Sequence, residues 1–313
     1  MSAIHEKVKN GPQIESIFGA ATNAARELDV FGVQTITGNS LKRKIRTAGA
    51  SPSNNRTLYN GVDASKGTYD YEVVSTGISS TAINIDKADL SSVGDATAQA
   101  DYMASELEGG AIEWRLGLGH DVFYATLADD GWDGLQAKVD ADSLKKLASS
   151  ASTDIHSSIY LVYTGKNGTP AYQKGARIIF GGGGEISNPE WDTDGFTDSE
   201  GRKVPGVSTL IEAYPCVSRG DKKAVLRYAN IGTAAGKTAT DEICAELIDL
   251  LPGEIKADLA NCYFMMSARS VSQIRASRQA TNQTGAPAPY PTEAFNVKII
   301  ETSSISDTEP KVS

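Results

Sequence analysis

Residues 117–135 read GLGHDVFYATLADDGWDGL, and the order of residue types in this stretch decides the fold. Upstream of it, Ala100, Met103, Leu107, Ala111, Trp114 and Leu118 recur at spacings of three and four. That spacing brings side chains to one face of an α-helix. Residues 86–95 (DKADLSSVGD) supply Asp and Ser side chains of the kind that accept hydrogen bonds from the first free N–H groups of a helix. The pattern predicts one long helix from there to about Ala125. Gly109-Gly110 weakens it, at about 1 kcal/mol per glycine against alanine, and marks the place for a bend. The helix runs into Phe123-Tyr124, then an acidic turn (Asp129, Asp130, Gly131), then Trp132-Asp133-Gly134-Leu135. This is a strut, a tight stop and an aromatic anchor, with Phe123, Tyr124 and Trp132 read as core packing. No catalytic constellation stands there.

Before the helix, residues 41–46 (LKRKIR) form a basic, strand-like segment. A long polar stretch follows, AGASPSNNRTLYNGVDASKG, which is too long for an ordinary connection inside a domain. Tyr69, Tyr71 and Val73 then alternate with Asp70 and Glu72, and Ile83 and Ile85 alternate with Asn84 and Asp86, the period of a half-buried strand. Strands flanking a polar excursion predict a projecting β-arm, held at its base. Such an arm buries little within its own chain, so a neighbour is expected to bind it. Residues 1–40, with short apolar clusters such as Ile14, Ile17 and Phe18, read as an extended arm with one short helix.

After the helix, strands are expected at Ile159–Tyr163, Arg177–Phe180, Thr209–Tyr214, Ala224–Tyr228 and Phe295–Ile300. Helices are expected at Thr240–Leu251 and Ala268–Ala280, a polar turn region at 189–206, and a Pro/Gly-rich link at 281–291. No internal repeat of 20–50 residues is present.

Composition sets outer bounds. The chain has 313 residues with 40% hydrophobic and 22% charged content, enough for one elaborate domain or two. A net charge of -9 argues against nucleic-acid binding through a general basic surface, although a local basic run (Lys42, Arg43, Lys44, Arg46) is present. That run reads as a solvated face, or as a surface for an acidic neighbour or for packaged nucleic acid. The N-terminus has no apolar signal region, and no apolar run is long enough to span a bilayer. Cys216, Cys244 and Cys262 are odd in number and lack metal-ligand spacing, as expected of free thiols in a reducing cytosol.

Each motif in the chain with a chemical look departs from the spacing that its chemistry needs. Gly232–Thr238 (GTAAGKT) has three residues between its glycines where a phosphate-binding P-loop needs four, so it reads as a strand-to-helix turn. Asp192, Asp194, Asp198 and Glu200 have the composition of a calcium loop without its spacing. Gly181–Gly184 precedes no helix pattern, so it is not a dinucleotide fingerprint. His5, His120 and His156 share no nucleophile motif. No cofactor, metal site or enzymatic activity is expected.

Several segments in order resemble the tailed-bacteriophage major capsid protein family, whose fold is shared with encapsulin shells and the herpesvirus capsid floor. DVFYATLADDGWDGLQ is similar to the family's exit from its long spine helix, with Ala125 where a glycine is usual. SIYLVYTGKNGTPAYQKGARIIF is similar to its strand, loop and Tyr-x-Lys-Gly hairpin, through Tyr172, Lys174 and Gly175. KAVLRYANI is similar to the strand ending Arg-x-Ala-Asn-Ile, through Arg227, Ala229, Asn230 and Ile231. YFMMSARSVSQIRASRQ resembles the later helix, and FNVKIIETSSISDTE the closing strand with its Thr-Glu tail.

The resemblance implies an α+β capsid fold with an N-terminal arm (1–40), an extended β-hairpin loop (41–88), a peripheral domain built on the spine helix (89–155), an axial domain (156–285) and a C-terminal strand returning to the peripheral domain (286–313). It implies hexamers and pentamers of the chain itself, forming an icosahedral shell around double-stranded phage DNA bound without sequence specificity. A separate scaffolding protein (or an already trimmed chain), a portal at one vertex and a decoration protein are its further expected partners. The expected location is the virion, after assembly in the host bacterial cytoplasm. Inter-subunit contacts are expected at Arg43, Lys44, Arg46, Arg56 and Lys66. The alternatives are an encapsulin-type nanocompartment, a P-loop phosphotransferase and a protein that decorates a shell without forming one.

Overall fold

The computed structural model describes residues 25–48, 66–148, 155–166, 174–182, 185–186, 190–197, 199–232, 238–281 and 287–312. The described chain opens with a short helix α1 (Glu27–Val30) and strand β1 (Gly32–Thr35), followed by β2 (Ser40–Ala48), β3 (Thr68–Ser75) and β4 (Ser79–Asp86). Helices α2 (Lys87–Ser92), α3 (Ala96–Tyr124) and α4 (Leu135–Ala141) come next. Strands β5 (Lys145–Leu147), β6 (His156–Tyr163), β7 (Ala176–Phe180), β8 (Glu185–Ile186), β9 (Glu190–Thr197), β10 (Lys203–Ala213), β11 (Pro215–Arg219) and β12 (Val225–Gly232) then lead to α5 (Asp241–Asp249) and α6 (Gly253–Lys256). The chain closes with β13 (Cys262–Met266), α7 (Ala268–Thr281), β14 (Glu293–Ala294) and β15 (Val297–Glu301).

A six-stranded sheet in the order β14-β15-β13-β6-β12-β5 forms the centre. All eight residues of β6 are buried, because both faces of the sheet are covered. Ile159, Leu161 and Tyr163 face α5 and α7 with Ile243, Leu247, Val271 and Ile274. Tyr160 and Val162 face the other core, which holds Trp114, Leu118, Val122, Phe123, Trp132 and Leu135. Fully burying one such side chain contributes roughly 1.5–3 kcal/mol.

Against the second core stands a three-stranded sheet, β1-β7-β11. A further sheet runs β4-β10-β8, with β9 also pairing β10, and lies beside the first half of α3. Residues 189–206, expected as a polar turn, are largely β9 and the start of β10, which pair as antiparallel neighbours. Their Asp, Thr and Gly content hid the strand, because edge strands tolerate polar residues on both faces. Within residues 41–88, expected as the arm, the strands pair in two places. β2 and β3 form a separate two-stranded ribbon, while β4 pairs residue for residue with β10.

The long helix α3 begins where its caps dictate. Asp86 accepts from Ala88 N–H to start α2, and Asp95 accepts from Ala98 N–H to start α3. The helix then runs unbroken through Gly109-Gly110. A side chain at Gly110 would collide with Ile83 of β4, so this glycine permits the close approach of helix and sheet. Among the described residues, no helix is long and apolar enough to cross a membrane.

Candidate functional site

The ribbon β2–β3 has two unlike faces. In its antiparallel register Leu41 lies opposite Val74 and Arg43 opposite Glu72, whereas Lys42 lies opposite Val73 and Lys44 opposite Tyr71. The first set faces the body. Val74 is buried, Leu41 packs beside it on the main core, and the Arg43 guanidinium donates to Ser218 Oγ of β11 at 2.7 Å. Burial lowers the Arg43 pKa to about 10, with repulsion from Arg177 adding to the effect and Glu72 opposing it. Glu72 in turn pairs with Lys138 of α4 at 3.0 Å. A charged cleft of about 290 Å³ beside this pair is lined by Asp142, Arg219 and Lys222 among others. The ribbon is thereby fastened to α4 and β11 at its base.

Its entry and exit are fixed by backbone. Thr76 N–H donates to Asn39 O at 3.0 Å, and Gly77 N–H to Pro215 O at 3.0 Å. A Cβ at Gly77 would overlap the Asp130 carbonyl and the Trp132 ring, so the ribbon's exit rests directly on the helix stop.

That stop is built from the acidic turn. Asp130 accepts from Thr126 N–H at 2.9 Å, and Asp133 from Leu127 N–H at 3.1 Å. These carboxylates satisfy backbone donors of the turn just past the helix. Phe123 and Trp132 are buried, and the Phe123 ring packs tilted at 50° against that of Tyr160, with centroids 5.0 Å apart. Tyr124 does more than pack: its hydroxyl donates to Glu309 and accepts from Ser306 N–H at 3.0 Å. Burial raises the pKa of that hydroxyl, with Tyr160 and Glu309 adding to the effect, so it stays a donor.

Glu309 joins the helix exit to the centre of the protein. Its buried carboxylate also accepts from Ser158 Oγ and from Arg227 Nη2, the latter at 2.9 Å. Arg227, wholly buried, reaches Asp140 with Nη1 at 3.0 and 3.2 Å and Ser158 with Nε at 3.0 Å. Burial works to lower the Arg227 pKa, but Tyr160, Glu309 and Asp140 outweigh it and keep the guanidinium charged. Three residues on, Asn230 occupies the left-handed region (φ 61) at a bulge in β12. Its amide clasps Val312 twice, donating to the carbonyl at 2.7 Å and accepting from the N–H at 2.8 Å. The Arg-x-Ala-Asn run is therefore a clasp for the C-terminal tail, a role its place at a strand end did not disclose. An arginine inside the apolar run VLRYANI was the available signal, since a charge in a two-sided buried strand requires a partner.

The residues singled out for contacts are not brought to one place. Arg43 is half-buried on the inner face, Lys44 is exposed with its ammonium 4.0 Å from the Tyr69 ring centroid, and Lys66 is exposed just before β3. Arg46 pairs with Tyr69 in the ribbon, and Arg56 lies outside the described residues. So do residues 233–237 of the glycine-rich GTAAGKT stretch, whose first residue, Gly232, ends β12. His120 is exposed beside Asp121 and Tyr124, with both ring nitrogens of buried His156 unpaired. Cys216, Cys244 and Cys262 are free and buried, and burial raises each thiol to about 12, which leaves them unreactive at neutral pH. Among the described residues, no group of three or more His, Cys, Asp or Glu side chains could hold a metal ion.

Solved structures share this architecture. The chain matches the bacteriophage Epsilon15 structure with a TM-score of 0.54 at 13% identity, covering 88% of this chain and 87% of that one. The fold is that of a tailed-phage major capsid protein. The bacteriophage JBD30 capsid structure matches with a TM-score of 0.51 at 11% identity, over 97% of this chain and 98% of that one. No protein-family model matches the sequence, and no curated protein does.

Proposed function

We propose that this chain is the major capsid protein of a tailed bacteriophage. Copies assemble as hexamers and pentamers into an icosahedral shell around double-stranded DNA. The supporting observation is the end-to-end likeness to the JBD30 capsid, with 97% of this chain and 98% of that one in correspondence.

The shell is a set of heterologous contacts, in which one patch of each subunit meets a different patch of the next. On this reading residues 41–88 form the extended loop, 89–155 the peripheral domain and 156–285 the axial domain. Residues 286–313 return from the central sheet to the helix exit, the course that Glu309 takes toward Tyr124. A separate scaffolding protein, a portal and packaged DNA complete the assembly in the host cytoplasm, and the shell then persists in the virion.

Expression followed by size-exclusion chromatography and negative-stain microscopy tests the reading. Shells, hexamers or pentamers are expected. A chain that stays monomeric, even with its scaffolding protein supplied, would sink it. A narrower test deletes residues 50–66. The subunit is expected to keep its thermal unfolding transition and lose assembly, because the ribbon is fastened at its base by Arg43, Glu72 and Val74.

A further inference from the structure

After β15 the way the chain is held changes. Ile305 is buried in the main core, but from Ser306 to Val312 Glu309 alone is buried. Glu309 is held by Tyr124, Ser158 and Arg227, Arg269 donates to the Asp307 carbonyl at 3.2 Å, and Asn230 clasps Val312. These contacts are all polar. On opening they are exchanged for contacts with water, so each contributes little net stability.

The surface under this segment is held by contacts of its own. Arg227 keeps Asp140 and Ser158 whether or not Glu309 is present. Tyr124 packs against the main core at the end of α3, and Asn230 is fixed by the bulge in β12. His156 exchanges both backbone hydrogen bonds with Glu309, at 3.3 and 2.9 Å. It does so on the edge of β6 that β13 leaves open, since β13 pairs with β6 only over Tyr160–Tyr163. A seat already formed loses no further freedom when it is filled. It is also selective: three donors meet one buried carboxylate, an open strand edge pairs with the backbone there, and a carboxamide reads the N–H and C=O three residues on.

We propose that residues 306–312 form a detachable strap, and that its seat accepts the same segment from a second copy of this chain. Exchange replaces each contact within a copy by the identical contact between copies, which makes swapping an identical element a low-cost way to join two chains. Seven extended residues reach about 23 Å, enough to cross a contact between neighbours. Within one copy the strap faces its seat at an effective concentration on the order of 1 mM, so exchange is favoured where copies are crowded. A shell is one such place, but any contact that brings two copies together suffices.

The test uses two full-length variants, Arg269→Cys and Asp307→Cys, which divide one strap contact between two chains. Both side chains are partly exposed, whereas the three native cysteines are buried. After the two are mixed and incubated, a short bifunctional thiol reagent is expected to give covalent dimers of one copy of each. Either variant alone should give few. A synthetic peptide of residues 306–313 at about 1 mM is expected to reduce the mixed dimer by about half or more. The same peptide with Glu309→Gln should leave it unchanged. In the parent chain, hydrogen exchange should show the strap opening as a unit. The amides of His156, Glu309 and Val312 are expected to exchange together, about tenfold or more faster than that of Leu161 inside β6.

Mixed dimers no more abundant than those of either variant alone would overturn the proposal. So would mixed dimers indifferent to the peptide, because the copies would then be neighbours without sharing straps. Strap amides as slow as Leu161 would overturn it on the parent chain alone, whatever the cysteine variants do. Shells that form without mixed dimers would remove this inference and leave the shell reading standing. Mixed dimers from a chain that never forms shells or capsomers would do the reverse.

Discussion

From Ala111 to Tyr124, α3 is walled in: Ala111, Trp114, Arg115, Leu118, Gly119, Val122 and Phe123 are all buried, on more than one side of the helix. From Ala96 to Gly110 the same helix buries no residue. Beneath it, among the described residues, lies a cluster of Ile85, Leu90 and Val207, with Tyr102 and Met103 half-buried against it. One half is a structural member of the main core, pinned by Arg115 to Asp29 at 3.0 Å and by Tyr124 to Glu309. The other half is a surface that happens to be helical. A continuous helix can thus carry a fixed end and a working end, and the capping aspartates define its length without revealing which end is which.

The sharpest way to break this contrast is to cut the network below the fixed end. Arg227→Ala leaves the Glu309 and Asp140 carboxylates without their cation. A buried pair contributes little net stability while intact, yet removing one partner costs about 3–5 kcal/mol. Denaturant unfolding is expected to show a loss of that size. A variant within 1 kcal/mol of the parent would mean that the tail is not held by this residue. Asn230→Ala should follow at about 2 kcal/mol, since it loses two hydrogen bonds to Val312 and places alanine at φ 61. Proteolysis of the last residues is expected to accelerate along with it.

At the working end the same measurement should return much less. Met103→Ala removes a half-buried side chain from a small cluster and is expected to cost about 1 kcal/mol. A cost as large as that of Arg227→Ala would show that the first half of α3 belongs to the cooperative core after all.

The contrast also explains what could be read in advance. The helix was legible because its signals are local: Asp86 and Asp95 cap within three residues, and the apolar spacing repeats every turn. β6 was legible as a run of buried residues for the same reason. The short α4 and β5 gave no periodic window, and β5 finds its place only through Arg227 to Ala229 of β12. The clasp escaped because its partners stand 82 residues apart, so that nothing near Arg227 or Asn230 announces Glu309 or Val312. The arm was legible as alternation in β3. The sequence could not say that Lys42 and Lys44 face outward while Arg43 turns inward, since that depends on which side of the ribbon meets β11.

The smallest expected effect on stability is also the most diagnostic. Asp101→Asn/Glu108→Gln removes two charges from the working half of α3 without touching its core. Surface changes of this kind move unfolding free energy by no more than about 0.5 kcal/mol. If the exposed half exists to stabilise the subunit, the double variant should be neutral in every assay. If it exists to meet another copy of the chain, unfolding should be unchanged while self-association falls. A loss of assembly without a loss of stability from one pair of substitutions would separate the two ends of α3 by what they do. Parallel losses in both would place the carboxylates in the fold itself, and the division drawn at Gly110 would be wrong.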